Sequence, residues 1–178
     1  MESYVVLLRG INVGGKRKIL MKDLKHVLEE NGFLDIQTYI QSGNIVLKSN
    51  FLLKSELINQ IETYIERAFG FEVSVFVYTE QDWNYIIEQN PFQKDDITKQ
   101  YCTFFNDEID QSIVVKVVKE KKENDRLSVS KNSIYLYVEK GYSKTKLNNT
   151  FFEKQLNQKA TTRNGKTIMK LQEMLQNL

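Results

Sequence analysis

Apolar positions in the first half of the chain switch between two spacings. Continuous or alternating apolar runs predict strands, whereas apolar residues that recur every three or four positions predict amphipathic helices. Turn sequences separate these runs, above all Asn31-Gly32 and Gln41-Ser42-Gly43-Asn44. The predicted elements, in order, are a strand at 4–8, a helix from residue 21, strands at 35–40 and 45–48, a helix at 57–69 and a strand at 73–77.

This β-α-β-β-α-β order predicts a ferredoxin-like lobe, in which right-handed crossovers place two helices against an antiparallel sheet. Thr79 and Asp82 resemble a capping box and predict a further short helix. Pro91 is the only proline in the chain, and the polar segment that follows it, 93–100, predicts a domain boundary. We therefore expect two domains, 1–92 and 93–178.

The second half has a similar order of elements with weaker patterns. Strands are predicted at 101–106, 126–130 and 133–138, and helices around 151–156 and 168–178. The β-branched run at 113–118 predicts either a helix capped by Asp110 or a strand. The fold class is thus α+β, with a ferredoxin-like N-terminal lobe and a smaller α+β lobe that could also be ferredoxin-like.

Composition places the chain among ordinary globular proteins. Of its 178 residues, 41% are hydrophobic and 27% are charged, which suits one good core or two small ones. A single cysteine, Cys102, excludes an intramolecular disulfide and fits a reducing compartment. No apolar run approaches the length of a membrane span, and the N-terminus lacks a signal-peptide pattern. We expect a cytoplasmic protein with no membrane partner.

Charge is distributed unevenly, although the net charge is only +2. Residues 9–18 hold four cations and no acid, and residues 140–170 hold eight cations against Glu153 alone. Regions of this kind favour anionic ligands. The alternative is that both are solvated surfaces that only keep the protein soluble.

The segment 9–18 is the main candidate site because it combines three glycines with these four cations directly after a predicted strand. Glycine permits positive φ and lets a ligand approach backbone N–H groups closely. Gly10-x4-Gly15-Lys16 satisfies most of the phosphate-loop pattern, but Arg17 stands where Ser or Thr would bind Mg²⁺. The element order also does not give the parallel sheet of such enzymes. We therefore expect anion binding without ATPase chemistry.

A second candidate anion site lies at Arg163 and Asn164, just before the last predicted helix. The first turn of a helix presents unpaired N–H groups and a partial positive charge. The alternative, with equal weight, is that Thr162 or Asn164 simply caps that helix.

No pattern indicates a catalytic or metal centre. His26 has no acid or cysteine partner within a motif, and Cys102 is expected to be a small buried hydrophobe. No spacing of cysteine and histidine suggests zinc. Tyr39, Tyr135 and Tyr137 could form a stacking platform like those of RNA-recognition sheets, although the glycine-aromatic signature of that class is missing. The sequence assigns no catalytic residue, cofactor or oligomeric state.

Four motifs run in order through nearly the whole chain. They are Leu7-Leu8-Arg9-Gly10-Ile11-Asn12-Val13-Gly14-Gly15, Tyr39-Ile40-Gln41-Ser42-Gly43-Asn44, Asn90-Pro91-Phe92 and Ala160-Thr161-Thr162-Arg163-Asn164. Together they resemble the bacterial domain-of-unknown-function family 1697 (DUF1697). The resemblance implies a small cytosolic α+β protein and implies no activity, substrate, cofactor or catalytic residue. In that family the Arg-Asn pair is usually followed by Trp-Asn, where this chain has Gly165-Lys166.

Polar and glycine residues of three separated loops make up the predicted ligand site, on the hypothesis that these loops converge. The leading hypothesis is a binding protein for an anionic ligand, namely a nucleotide, a phosphorylated metabolite or a nucleic-acid segment. The predicted ligand-binding residues are Arg9, Asn12, Gly14, Gly15, Lys16, Ser42, Asn44, Arg163 and Asn164.

Two further functions stay open. One is an enzyme, a transferase or hydrolase, that uses the same pocket, although the motifs contain no evident general base. The other is a structural or interaction module without a ligand, in which Arg9 and Asn12 bond to backbone carbonyls within the fold.

Overall fold

The computed structural model describes residues 1–50, 53–110, 112, 114–121 and 124–178. The strands are β1 (Glu2–Leu8), β2 (Leu34–Tyr39), β3 (Asn44–Ser49), β4 (Val75–Thr79), β5 (Gln100–Phe104), β6 (Arg126–Val129), β7 (Ser133–Tyr137) and β8 (Thr161–Asn164). The helices are α1 (Met21–Glu30), α2 (Lys54–Phe69), α3 (Glu80–Glu88), α4 (Val114–Lys119), α5 (Asn149–Leu156) and α6 (Gly165–Gln176).

The chain divides into two compact units, and each contains one four-stranded antiparallel sheet. The first unit comprises Met1–Asn84 with Lys170–Leu178, and the second comprises Tyr85–Met169. The predicted α+β class is confirmed. The predicted division into 1–92 and 93–178 stays a prediction.

The first sheet has the strand order β2-β3-β1-β4, which is the ferredoxin-like order that the sequence predicts. Strand β1 lies between two partners, since Val6 pairs with Ile45 of β3 and with Val77 of β4. This central position explains why residues 4–8 are continuously apolar. One face of the sheet packs against α1 and α2 in a cluster that includes Tyr4, Val6, Leu8, Leu24, Leu28, Leu57, Ile61 and Ile65.

The end of α2 and the start of α3 have the local interactions that the sequence predicts. Gly70 follows α2 with φ of 78°, and its N–H donates to the Glu66 carbonyl at 2.8 Å. Thr79 and Asp82 form the predicted capping box at the start of α3. The Asp82 N–H donates to Thr79 Oγ1 at 3.1 Å, and the Thr79 N–H donates to Asp82 Oδ2 at 3.2 Å.

The second sheet repeats the order of the first, as β6-β7-β5-β8, so the second unit is ferredoxin-like as well. Strand β8 was not predicted, because its four residues Thr161–Asn164 are polar and show no alternation with apolar positions. Pairing with β5, for example Cys102 opposite Arg163, holds this segment extended. The sequence prediction of a loop before the last helix is therefore wrong at this point.

The β-branched run of the second unit forms a helix, α4, rather than a strand. Ile113, which the sequence also assigns to this run, lies outside the described residues. Asp110 Oδ1 accepts a hydrogen bond from the Ser112 N–H at 2.9 Å. This hydrogen bond lies before the first residue of α4. Asn148 caps α5, since its Oδ1 accepts from the Phe151 N–H at 3.0 Å. Across the described ranges, we find no helix with the length and apolar character that crossing a bilayer requires.

Candidate functional site

The loop after β1 folds into a small hairpin, residues 9–18, which we call the basic hairpin. Val13 and Lys16 form an antiparallel bridge, and the Lys16 N–H donates to the Val13 carbonyl at 3.1 Å. Between them Gly14 and Gly15 have φ of 58° and 75°. Two successive positive φ values inside a hydrogen-bonded four-residue turn define a type I′ turn, which matches the twist of hairpins and favours glycine.

The side chain of Asn12 fixes this hairpin in place. Its Nδ2 donates to the Ile19 carbonyl at 2.9 Å and to the Gln41 carbonyl at 2.7 Å, while its Oδ1 accepts from the Ile19 N–H at 2.9 Å. Its backbone has φ of 55°, which asparagine tolerates better than most residues. Asn12 therefore ties the far end of the loop to its start and to the turn between β2 and β3. These bonds to backbone carbonyls are what the structural-module hypothesis expects of Asn12.

Gly43 brings the β2–β3 turn into direct contact with the end of β1. The Leu8 N–H donates to the Gly43 carbonyl at 2.8 Å, and a Cβ placed on Gly43 would lie 2.5 Å from Leu8 Cβ. Two of the three loops predicted to converge therefore do meet, within the first unit.

Ser42 and Asn44 shape that same turn. Asn44 is fully buried, and its Nδ2 donates to the Tyr39 carbonyl at 3.1 Å and to Ser42 Oγ at 2.9 Å. Ser42 is half-buried. Both side chains thus have partners inside the turn that they belong to.

The cations of the basic hairpin are mostly exposed to solvent. Lys16, Arg17 and Lys18 are exposed, whereas Arg9 is half-buried. The backbone N–H of Arg9 donates to the Ser74 carbonyl at 3.0 Å. Arg17 Nη1 lies 3.9 Å from the position that a Cβ on Gly10 would take, so the guanidinium lies beside this glycine. Among the described residues, none of the exposed three cations has a carboxylate within ion-pair distance.

Arg17 and Lys18 are not among the predicted ligand-binding residues, although both fall inside the segment that the sequence singles out. The phosphate-loop pattern assigns the lysine that follows Gly15 to phosphate, and at the next position it expects a hydroxyl, where this chain has Arg17. In the folded hairpin, Arg17 and Lys18 are as exposed as Lys16. The signal that could have found them is the unbroken run of three cations itself.

The third predicted loop lies in the second unit, at the end of β8. Arg163 is buried, and its Nη1 donates to Thr161 Oγ1 at 2.7 Å and to the Thr162 carbonyl at 3.0 Å. Asn164 Oδ1 accepts from the Thr167 N–H at 2.8 Å and so caps α6, which is one of the two interpretations left open above. Both side chains have roles within their own unit.

The predicted tyrosine platform is wrong. Tyr135 and Tyr137 are buried in the second sheet, while Tyr39 belongs to the first. The Tyr135 hydroxyl donates to the Ile86 carbonyl at 2.7 Å, and burial raises the pKa of this hydroxyl. The Tyr135 and Tyr137 rings therefore pack in the core and are not available to stack on bases.

The single cysteine and the single histidine of the chain belong to different units. Cys102 is buried in β5, and burial raises the pKa of its thiol, so the thiolate needed for nucleophilic attack is suppressed. His26 is on the exposed side of α1, with Nε2 3.3 Å from Glu30 Oε1. Within the described ranges no group of three or more His, Cys, Asp or Glu side chains could hold a metal ion.

The second unit holds a cavity of about 260 Å³ that the sequence did not predict. Its walls come from α3, the segment that leads into β5, strands β5 and β7, and the first turn of α6. The sequence gives little indication of this cavity, because its lining residues are apolar or uncharged and resemble those of an ordinary core.

Comparison with known proteins gives a family and a similar solved structure. The chain is similar to a solved structure described as the conserved bacterial protein SP0830 from Streptococcus pneumoniae, with 29% sequence identity and a TM-score of 0.79. The match covers 98% of this chain and 98% of that one. A search among curated proteins found no match. The family model described as "Protein of unknown function (DUF1697)" matches residues 1–135, a range that contains the basic hairpin and the β2–β3 turn, and the chain belongs to this family.

Proposed function

We propose that the protein binds nucleic acid, with the basic hairpin contacting the phosphate backbone. The observation that carries the proposal is the row Lys16, Arg17 and Lys18, exposed on one short hairpin and without a carboxylate partner among the described residues. Phosphate contacts from lysine and arginine supply most of the affinity in sequence-independent binding.

The rigidity of the hairpin supports this proposal. The type I′ turn and the three bonds of the Asn12 side chain hold the backbone in one shape before any ligand arrives. A preorganised segment loses less conformational entropy on binding than a flexible loop of equal charge. Rigidity therefore makes these cations better ligands for phosphate than the same residues on a mobile tail.

The arrangement of the cations favours an extended polyanion over a small metabolite. The exposed cations follow one another along the basic hairpin, whereas a small phosphorylated ligand is usually enclosed by convergent groups. The cavity of the second unit does not serve this purpose, because none of its lining side chains is charged.

Each predicted residue of the first unit has a role in this proposal. Arg9 and Lys16 neutralise phosphate charge, and the backbone N–H groups of Gly14 and Gly15 donate to phosphate oxygens. Three side chains, Asn12, Ser42 and Asn44, preserve the shape of the hairpin and its neighbouring turn. Arg163 and Asn164, in the second unit, are proposed to maintain β8 and α6 rather than to touch the ligand.

Fluorescence anisotropy with a labelled 20-base-pair DNA duplex over a series of salt concentrations tests the proposal. With three to four phosphates neutralised, we expect log Kobs to fall with log[salt] at a slope of about −3. The triple variant Lys16→Gln, Arg17→Gln, Lys18→Gln should bind much more weakly. Its slope should be shallower by roughly one for each phosphate that the variant no longer neutralises.

The matched control is a second triple variant, Lys140→Gln, Lys154→Gln, Lys159→Gln, which removes the same charge from other exposed positions. Equal decreases of affinity in the two variants would mean diffuse attraction to the surface and would exclude a hairpin site. Competition by millimolar inorganic phosphate at constant ionic strength would instead indicate a site for a small anion.

A further inference from the structure

The cavity of the second unit is a pocket with one side open to solvent. Its volume is about 260 Å³. An engineered cavity of about 150 Å³ lined by apolar side chains is large enough to bind benzene. The present cavity therefore has room for a larger molecule, of the size of a two-ring aromatic compound. Its lining residues are Ile86, Ile87, Asn90, Gln93, Ile97, Gln100, Tyr101, Cys102, Tyr135, Gly165, Ile168 and Met169.

The chemistry of this lining selects an uncharged ligand. No aspartate, glutamate, lysine, arginine or histidine is among the lining residues, and most of the wall is aliphatic or aromatic. A charged molecule that entered would lose its hydration without gaining an ionic partner, which is strongly unfavourable. Cys102 adds no negative charge, because burial raises the pKa of its thiol.

Two amide side chains give the cavity a polar side. Asn90 Nδ2 donates to Gln100 Oε1 at 3.1 Å, and Gln100 Nε2 donates to the Asp95 carbonyl at 2.8 Å. Each side-chain amide nitrogen carries two N–H groups, so each has a second donor beyond these bonds. A ligand that accepts hydrogen bonds through a carbonyl oxygen could use these donors, whereas a pure hydrocarbon could not.

The walls are held in position by bonds that do not depend on a ligand. The Tyr135 hydroxyl donates to the Ile86 carbonyl at 2.7 Å and links β7 to α3. Gly165 lets α6 begin close to the preceding segment, since a Cβ there would lie 3.0 Å from the Ile97 carbonyl oxygen. Gln93 and Met169 line the cavity and are also exposed, so they mark the side that faces solvent. Methionine adapts its shape easily to an entering molecule.

We propose that this cavity is a binding site for an uncharged aromatic molecule of about two fused rings that carries a carbonyl group. The rings occupy the apolar volume between Ile86, Tyr135 and Ile168, and the carbonyl oxygen accepts hydrogen bonds from the Asn90 and Gln100 amides. This site is independent of the basic hairpin, so either can fail while the other stands.

A pair of probes that differ only in charge tests the proposed selectivity. Titration calorimetry and the shift in melting temperature are measured with 2-naphthamide, which is neutral, and with 2-naphthoate, its carboxylate counterpart. We expect saturable binding and a raised melting temperature with the amide, and binding at least about tenfold weaker with the carboxylate. Equal affinities for the two probes, or no saturable binding of the amide, would overturn the proposal.

Two variants test, by separate means, whether the probe binds in the cavity. Ile168→Phe fills part of the volume, and Met169→Trp, at an exposed position, covers the opening without disturbing the core. Each should weaken 2-naphthamide binding about tenfold or more, while the control Ile58→Phe in the first unit should leave it unchanged. Affinity that survives both substitutions, or that falls equally in the control, would show that the probe binds elsewhere and would end the proposal.

Discussion

Gly43 lies against Leu8 so closely that a side chain at position 43 would overlap it. The Leu8 N–H donates to the Gly43 carbonyl at 2.8 Å, and a Cβ on Gly43 would approach Leu8 Cβ to 2.5 Å and Ile11 Cδ1 to 3.1 Å. The basic hairpin starts immediately after Leu8. The position of the hairpin therefore depends on the absence of a side chain in the neighbouring turn.

Gly43→Ala is expected to lower the free energy of unfolding by about 2–4 kcal/mol, because a φ of 73° disfavours alanine and the methyl group overlaps Leu8. Urea unfolding followed by circular dichroism measures the decrease. Gly32→Ala is the control, since its φ is 85° but no atom lies within 4 Å of the added methyl group. Gly32→Ala should lower the free energy of unfolding by only about 1–2 kcal/mol. Similar decreases at the two positions would mean that backbone conformation, not overlap with Leu8, explains the effect.

Asn12→Ala should destabilise the protein by roughly 2–3 kcal/mol, because it removes three hydrogen bonds and leaves alanine at a positive φ. Asn12→Gly removes the same bonds but tolerates the backbone, so it should be less destabilising by about 1 kcal/mol. Thermal unfolding of both variants separates the contribution of the hydrogen bonds from that of the backbone conformation. If Asn12→Ala unfolded like the wild type, the Asn12 side chain would not be what fixes the hairpin.

Much of the fold was predictable because periodic apolar patterns and turn residues agree with each other in both lobes. The strand at residues 4–8, the helix stop at Gly70 and the capping box at Thr79 and Asp82 all depend on local chemistry. Strand β8 was not predictable, because Thr161–Asn164 is extended only through its pairing with β5. Long-range pairing of a polar segment leaves no periodicity in the sequence.

Glycines and cations single out residues 9–18 as a glycine loop, and the structure folds this loop into the basic hairpin. The ligand-binding role of these residues stays a prediction. Bonds from Asn12 to backbone carbonyls were one of the sequence hypotheses, but the identity of their partners, like that of the partners of Asn44, was not predictable because it depends on how the two loops meet. The cavity of the second unit depends on packing between elements far apart in the chain, for example Ile86 and Ile168, and packing gaps leave no trace in composition.

Asp82 is expected to make stability depend on pH in the acid range. Burial raises the pKa of this carboxyl, but the hydrogen bonds from Lys54 Nζ and from the Thr79 N–H, together with the Lys54 charge, outweigh burial and leave the pKa below its ordinary value. The folded protein thus holds the proton less tightly than the unfolded chain. The carboxylate stabilises the fold above the unfolded pKa, and this contribution disappears as the pH falls from about 4 through the lower folded value.

Urea unfolding at a series of pH values measures this contribution. Asp82→Asn should be less stable than the wild type at neutral pH and should lose less stability on acidification below about pH 4. Lys54→Gln removes the favourable charge and raises the folded pKa of Asp82, so the loss of stability on acidification should be smaller and should be complete at a higher pH. Parallel pH profiles for the wild type and Asp82→Asn would contradict the assignment to this carboxyl.

The shape of the Gly14-Gly15 turn should control nucleic-acid binding separately from charge. Gly14→Asn keeps a residue that accepts positive φ, so the duplex-DNA affinity should stay within about twofold of the wild type. Gly15→Val places a β-branched residue at a φ of 75°, which opens the turn and separates Lys16 from Val13. Its affinity should fall several-fold although no charge is removed, and anisotropy measures both variants. If Gly15→Val bound DNA as tightly as the wild type, charge alone would be sufficient and the fixed turn would have no role in binding.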